Sequence, residues 1–303
     1  TGEKIMKVVY GHTDSIYVEI DSIEKSKETL SILNEHVRKS FPNVLGLDEH
    51  PVVLEFEKYF HSLGVGVTKN RNAGLITWKD NKNLEEMEFT MTGFTAKRVS
   101  ETKLAKEVQL TVLRMWVEGK TEDEVSDYLN DIYYKVLNGK IPLLDILKRS
   151  RYREARFLVT CQTCKKNSTL NDLVSATCCS LPKLKTLEDK NVTVGAGIAG
   201  ILFYNNLPNN IPITDSYLYC KIKENSNNKF IHPVTQQGVV TTWYSANNEK
   251  EIESFLKTSG SFIDWFYYAN TIVKKAEPIY LAMDWASNKI SKDRNQKDLE
   301  EWF

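Results

Sequence analysis

Two short runs near the start of the chain alternate apolar and β-branched residues: Val8-Val9-Tyr10 and Ile16-Tyr17-Val18-Glu19-Ile20. Between them lies the polar stretch Gly11-His12-Thr13-Asp14-Ser15, and such a pattern predicts a β-hairpin. From Ser22 to Lys39 the period lengthens. Ile23, Leu30, Ile32, Leu33 and Val37 form one apolar side with Lys and Glu opposite, which predicts an amphipathic helix. Phe41-Pro42-Asn43 should end it. Residues 51–57, 64–68 and 73–78 then read as strands, followed by a polar turn at 79–83. Residues 5–78 thus predict an antiparallel sheet with at least one helix packed on it.

Helical spacing returns over residues 99–117 through Val99, Leu104, Val108, Thr111, Val112, Met115 and Trp116, with Gly119 as a C-cap. Thr121-Glu122-Asp123-Glu124 starts a second helix that Asn138-Gly139 stops, so residues 97–150 read as a helical domain. Residues 211–244 read as short strands, with Cys220 a buried strand residue. Residues 262–287 read as one long aromatic helix, kinked at Pro278, its aromatics forming core. The expected fold class is α+β.

With 303 residues, 41% of them hydrophobic, the chain can bury a substantial core in two or more domains. Forty Lys and Arg balance forty Asp and Glu, so global charge is silent about a nucleic-acid partner and local charge must decide. No apolar run approaches 18 residues, which excludes a spanning helix by sequence and leads to the expectation of a soluble, cytoplasmic, nucleoid-associated protein with no membrane partner. The start at Thr1, running straight into a strand, suggests a piece of a longer protein.

Asp14 at a rigid hairpin turn suits a divalent metal, because a hard cation takes oxygen ligands in fixed geometry. Thr68-Lys69-Asn70-Arg71-Asn72 sets two cations and two amides on a strand-connecting turn, suited to phosphate contacts. Lys97 and Arg98 follow Gly93 at an expected helix start. The densest basic run includes Lys148, Arg149, Arg151, Arg153 and Arg156, with seven Lys or Arg and one acid between 148 and 166. Clustered arginine beside Tyr152 is the footprint of a nucleic-acid backbone site, or else a solvated basic helix end. Cys161 and Cys164, with Cys178 and Cys179, offer four thiols. They could bind zinc tetrahedrally, although the adjacent second pair strains a shared site; plain reduced thiols are the other reading. Residues 195–200 match GxGxxG, with Asp215 where a ribose-binding acid would sit. The helix after it is short and no βαβ unit follows, so a small-residue helix packed closely on a neighbour is the better reading.

Taken together, these segments resemble the family B DNA-directed DNA polymerases, in a style closest to archaeal enzymes. Tyr10-Gly11-His12-Thr13-Asp14-Ser15 resembles motif C, usually written YGDTDS. Residues 68–74 are similar to the TKKKYAG palm motif. Thr92-Gly93-Phe94 with Lys97-Arg98 resembles the RGLE-x-VRRD segment where palm passes into thumb. Residues 192–206 look like the HVAVAxRL thumb helix, and 213–221 and 264–285 resemble the strand and long helix near that family's C-terminus. The resemblance implies the C-terminal palm at 1–96, a mainly helical thumb at 97–287 with a cysteine-containing insertion at about 160–190, and a tail at 288–303.

It further implies that Asp14 binds both catalytic Mg²⁺ ions with a motif A aspartate. Motif A, the fingers and the exonuclease lie upstream in that family and outside these 303 residues. A fragment lacking that N-terminal polymerase portion is expected not to polymerise alone. The implied substrates are primer-template DNA and dNTPs. Lys69, Arg71, Lys97, Arg98, Arg149, Arg151 and Arg153 would hold DNA. Two departures stand out: His12 replaces the first acid of motif C, and Asn72 stands where the family often has tyrosine. Imidazole is a poor Mg²⁺ ligand, so a non-catalytic DNA- and clamp-binding relative is the alternative. Gln296, Leu299, Trp302 and Phe303 resemble a peptide that binds the sliding clamp (PCNA), with aromatic anchors for an apolar pocket.

Overall fold

The computed structural model describes residues 7–12, 14–152, 159–161, 167–168, 192–208, 210–231 and 237–286. Its fold is α+β, with antiparallel sheets and helices mixed along the chain. The described residues fall into two compact units. One lies within Thr1–Phe94, Thr111–Val125 and Glu277–Ser287, the other within Thr95–Leu110, Ser126–Ala276 and Asn288–Phe303.

In the first unit, β1 (Lys7–His12) and β2 (Ser15–Glu19) form the expected hairpin, in register from Lys7↔Glu19 to His12↔Ser15 with a bulge at Val9. Helix α1 (Ile23–Ser40) follows, capped by the Ser22 hydroxyl, which accepts the Lys25 N–H at 3.1 Å. A three-stranded antiparallel sheet has β4 (Asn72–Lys79) between β3 (Lys58–Val65) and β5 (Lys82–Thr92). The central strand is the most buried, through Ala73, Leu75, Ile76 and Trp78. Burying each large apolar side chain contributes about 1.5–3 kcal/mol. Asp80 and Asn81, both at positive φ (52° and 60°), make the tight β4–β5 turn.

Three expectations for this unit need correction. Residues 51–57 are not a strand. The Asn34 side chain takes both Leu54 backbone groups, accepting its N–H at 2.8 Å and donating to its carbonyl at 3.0 Å, so no strand partner is needed. The strand lies one segment later, at β3, and ends at Val65 short of the expected 68. β5 was not predicted, because Glu85, Glu86 and Glu88 interrupt its alternation; as an edge strand it carries them in solvent.

Helix α2 (Lys103–Val117) contributes residues to both units. It starts four residues later than expected. Thr102 caps it, accepting the Ala105 N–H at 3.2 Å, and Val99 is exposed in the turn before it. Within the first unit, Trp116 lies over Gly64, and the Ser62 hydroxyl donates to the Val117 carbonyl at 2.6 Å. Helix α3 (Glu122–Leu137) begins with a reciprocal cap: Glu124 accepts the Thr121 N–H at 2.9 Å and its own N–H reaches the Thr121 hydroxyl at 3.3 Å.

In the second unit, a short helix α4 (Leu143–Ile146) leads into β6 (Lys148–Arg151). The basic run is therefore a strand at its start, not a helix end. β6 pairs with β10 (Ser216–Lys221), which pairs with β13 (Trp243–Ala246). β7 (Val159–Cys161), β8 (Asn167–Ser168) and β9 (Val192–Val194) form a second small sheet, and β11 (Lys229–Ile231) pairs with β12 (Gly238–Val240). The GxGxxG stretch forms α5 (Ala196–Asn205), a closely packed helix as expected. A Cβ on Gly197 would strike the Tyr217 ring, and one on Gly200 would strike Ser245, whose hydroxyl donates to the Gly197 carbonyl at 2.8 Å. Cys220 is fully buried in β10, as expected, and burial pushes its thiol up to about 12.

Helix α6 (Glu249–Ser259) was not predicted. The single long helix expected at 262–287 is broken: α7 (Trp265–Val273) gives way to a 3₁₀ turn at Lys274–Ala276 and then α8 (Glu277–Ala282). Pro278 sits in the first turn of α8, where its missing N–H costs nothing. The aromatics divide. Tyr268 and Tyr280 are core, whereas Phe262 and Phe266 are exposed.

Candidate active site

The hairpin turn presents Asp14 to solvent, with the Ser15 hydroxyl donating to its Oδ1 at 3.3 Å. His12 and Ser15 face each other across the register as the last pair before the turn. Thr13 lies outside the described residues.

Asp14 also lines a hollow of about 330 Å³ with Glu55, Glu57 and Lys58. The sequence reading missed these two glutamates, because they sit in a segment it took for a strand. Among the described residues no group of three or more His, Cys, Asp or Glu side chains is arranged to hold a metal. The donor set fits one oxygen ligand from this chain, Asp14, and needs the others from elsewhere.

Tyr10 ties this hairpin to the cationic turn. Its hydroxyl donates to the Asn70 Oδ1 at 3.3 Å. Tyr10 also packs on Tyr17 with ring centroids 5.3 Å apart, and Tyr17 on Phe60 at 6.0 Å. Burial first, then the neighbouring Tyr10, raises the Tyr17 phenol above its ordinary range. The turn between β3 and β4 is closed by Gly66 N–H to the Arg71 carbonyl at 2.8 Å. Asn70 holds a left-handed conformation there (φ 61°), which asparagine tolerates better than most residues. Lys69 is exposed and Arg71 half-buried. Gly93 closes the set: it has φ 76°, and a Cβ on it would run into the Asn70 carbonyl. Thus the motif C-like hairpin, the 68–74 turn and the Thr92-Gly93 segment meet at Asn70. Asn72 is buried at the start of β4, so it is a structural position in this chain.

The remaining candidate cations belong to the second unit. Lys97 ends a 3₁₀ turn (Thr95–Lys97), with Arg98 next; both side chains are exposed. Neither stands at a helix start, which is a correction to the expectation. Val99 and Ser100, which follow them, line a hollow of about 710 Å³ together with Arg149, Ser150, Arg151, Asp215 and Ser216. Arg149 and Arg151, two apart on β6, are exposed there. The two basic segments of this unit therefore border one surface. Asp215, weighed as a ribose ligand, lies on that surface instead. Arg153, Cys164, Cys178, Cys179, the Cys161 side chain and the tail with Gln296, Leu299, Trp302 and Phe303 lie outside the described residues.

The solvent-facing carboxylate of Asp14 thus lies on the turn of a hairpin that Tyr10 ties to a cationic loop. Residues 2–162, more than half of the 303, match DNA polymerase family B, and the chain belongs to that family. Two proteins with DNA polymerase names are similar to it over part of their length. The DNA polymerase zeta catalytic subunit of Arabidopsis thaliana is 27% identical over 142 residues, which are 46% of this chain and 7% of that protein. DNA polymerase 2 of Aeropyrum pernix is 28% identical over 142 residues, 47% of this chain and 15% of that protein. The matched stretch is thus a small part of either relative. Among the described residues no helix is long and apolar enough to cross a membrane.

Proposed function

We propose that this chain is the C-terminal palm and thumb portion of a replicative DNA-directed DNA polymerase, which adds dNTPs to a primer 3′ end. The observation that carries this reading is the meeting of three motif-like segments at Asn70, one of them the hairpin whose turn carries the exposed Asp14. Asp14 would supply one carboxylate to a Mg²⁺ site completed by an aspartate from polymerase sequence outside these residues. The chemistry such ions supply is activation of the primer 3′-hydroxyl and neutralisation of charge at the triphosphate. The chain's own part is positional. β1 and β2 fix Asp14, Tyr10 and Asn70 fix the hairpin against the cationic turn, and Lys69 and Arg71 meet phosphate there. Lys97, Arg98, Arg149 and Arg151 offer a second backbone-binding surface. The tail residues Gln296, Leu299, Trp302 and Phe303 would anchor the sliding clamp.

Primer extension by this chain combined with its N-terminal polymerase portion tests the reading. Activity in the parent that is lost in Asp14→Ala supports it. His12 in place of an acid favours a second reading, a polymerase relative that binds DNA and clamp without catalysis. Unchanged primer-template binding with no extension in Mg²⁺ or Mn²⁺ would select that second reading. Clamp affinity unaltered by Phe303→Ala would dismiss the tail assignment.

A further inference from the structure

Gln109 is a polar side chain only 2% exposed, and its amide is hydrogen-bonded at both its oxygen and its nitrogen. Its Oε1 accepts the Ala96 N–H at 2.7 Å and the Thr95 hydroxyl at 3.0 Å, while its Nε2 donates to the Lys275 carbonyl at 3.2 Å. Lys275 in turn pairs through its ammonium with Glu101, and both side chains are largely buried. The circuit closes along the backbone: Glu101 N–H donates to the Arg98 carbonyl at 3.2 Å, and Arg98 N–H to the Thr95 carbonyl at 2.8 Å. Residues 95–101 are therefore held at both ends by the buried Gln109 and the largely buried Glu101–Lys275 pair, and between them by backbone hydrogen bonds. Lys97 and Arg98 are the exposed cations this ring leaves pointing outward, and neither forms an ion pair among the described residues.

A buried amide hydrogen-bonded through both its oxygen and its nitrogen costs much to disturb, because partners left buried lose the bond without regaining solvent. A buried ion pair is weak evidence for stability, whereas it does fix geometry. Flexible cations on a loose turn would lose conformational entropy on meeting phosphate; cations on a locked turn have less to lose. We propose that Gln109 and the Glu101–Lys275 pair are positioning residues, which lock the 95–101 turn so that Lys97 and Arg98 engage the phosphodiester backbone of bound DNA. The proposal rests on the reading that Lys97 and Arg98 contact DNA.

The test is fluorescence anisotropy of a primer-template duplex with the full chain, over a range of salt, well below each variant's thermal midpoint. Lys97→Ala with Arg98→Ala should weaken binding and flatten the salt slope by about 0.9 for each phosphate no longer neutralised. If it does neither, the underlying reading fails. Gln109→Leu should weaken binding about three- to tenfold and flatten the slope by about one, with both cations still present. A purely structural Gln109 would lower the thermal midpoint and leave affinity and slope unchanged, which overturns the proposal alone. Lys275→Glu gives an independent route. It should weaken binding in the same way, and adding Glu101→Lys should restore it; a double variant no better than the single one also overturns the proposal.

Discussion

Tyr10 and Asn70, 60 residues apart in sequence, meet through a hydrogen bond from the phenol to the amide oxygen at 3.3 Å. The contact sets the flank of the Asp14 turn against the turn that carries Lys69 and Arg71. Asn70 does two things at once, since its backbone carbonyl occupies the space where a side chain on Gly93 would begin. One residue thereby registers three segments that are separate in sequence. It explains why an ordinary-looking polar turn matters to the hairpin.

Gly93→Ala should break that registration. A Cβ there overlaps the Asn70 carbonyl, and the backbone stands at φ 76°, where L side chains are strained. The expected loss is about 1–3 kcal/mol or more, read as a lowered urea midpoint. Tyr10→Phe removes only an exposed hydrogen bond and should cost less than about 1 kcal/mol. Equal midpoints for Gly93→Ala and wild type would show that Gly93 is not held against the Asn70 carbonyl.

Asp14→Asn should separate chemistry from folding. The side chain is exposed, so the urea midpoint should move by no more than about 0.5 kcal/mol. Primer extension in the reconstituted polymerase should fall by about 10²-fold or more, since a lost metal ligand removes several kcal/mol of transition-state stabilisation. Extension at wild-type rate would remove Asp14 from the metal site.

The hairpin, α1 and α3 were legible because local chemistry and the fold agree there. Alternation, the Ser22 cap and the Thr121–Glu124 capping box need no distant partner. The failures have tertiary causes. The 51–57 segment has a strand's composition, but Asn34 satisfies Leu54 where a strand would. β5 hides behind three glutamates that an edge strand can leave in water. The break between α7 and α8 lies at 274–276, where Lys275 turns its carbonyl to Gln109, a group 166 positions away. The hairpin turn with Asp14 and the basic 68–72 turn were legible in residue type and order. The junction at Asn70 was not, because a hydrogen bond between two turns leaves no periodic trace in sequence.

Arg149→Ala and Arg151→Ala should each reduce DNA affinity across unrelated sequences, because phosphate contacts carry no base information. Each should also flatten the dependence of log affinity on log salt by about 0.9. Both side chains are exposed on β6, so the fold should be unaffected. A reduced affinity with an unchanged slope would mean that neither arginine releases counterions, and that the hollow they border is not a backbone site.

Stability should fall on the alkaline side, and among the described residues Cys220 gives the earliest part of the fall. Burial pushes its thiol from 9.0 to about 12. Tyr219 is pushed from 10.0 to about 12, chiefly by burial, and Tyr204 from 10.0 to about 12 by burial and then by Glu251. Below pH 9 the thiol is protonated in both the folded and the unfolded chain, and its burial contributes fully. As pH rises past 9, the unfolded chain loses that proton first, so it binds fewer protons than the native state and stability declines. One such group gives a slope of about 1.4 kcal/mol per pH unit, which continues until the native thiol itself ionises near pH 12. The tyrosines join only above pH 10. Urea midpoints measured between pH 7 and 11 should therefore be flat to about pH 8.5 and then fall. Cys220→Ala should remove the decline between pH 9 and 10 while keeping the later one. In the native protein at pH 8, alkylation mapped by mass spectrometry should leave Cys220 unmodified until urea unfolds the chain. Rapid modification without urea would contradict the burial that the pH dependence requires.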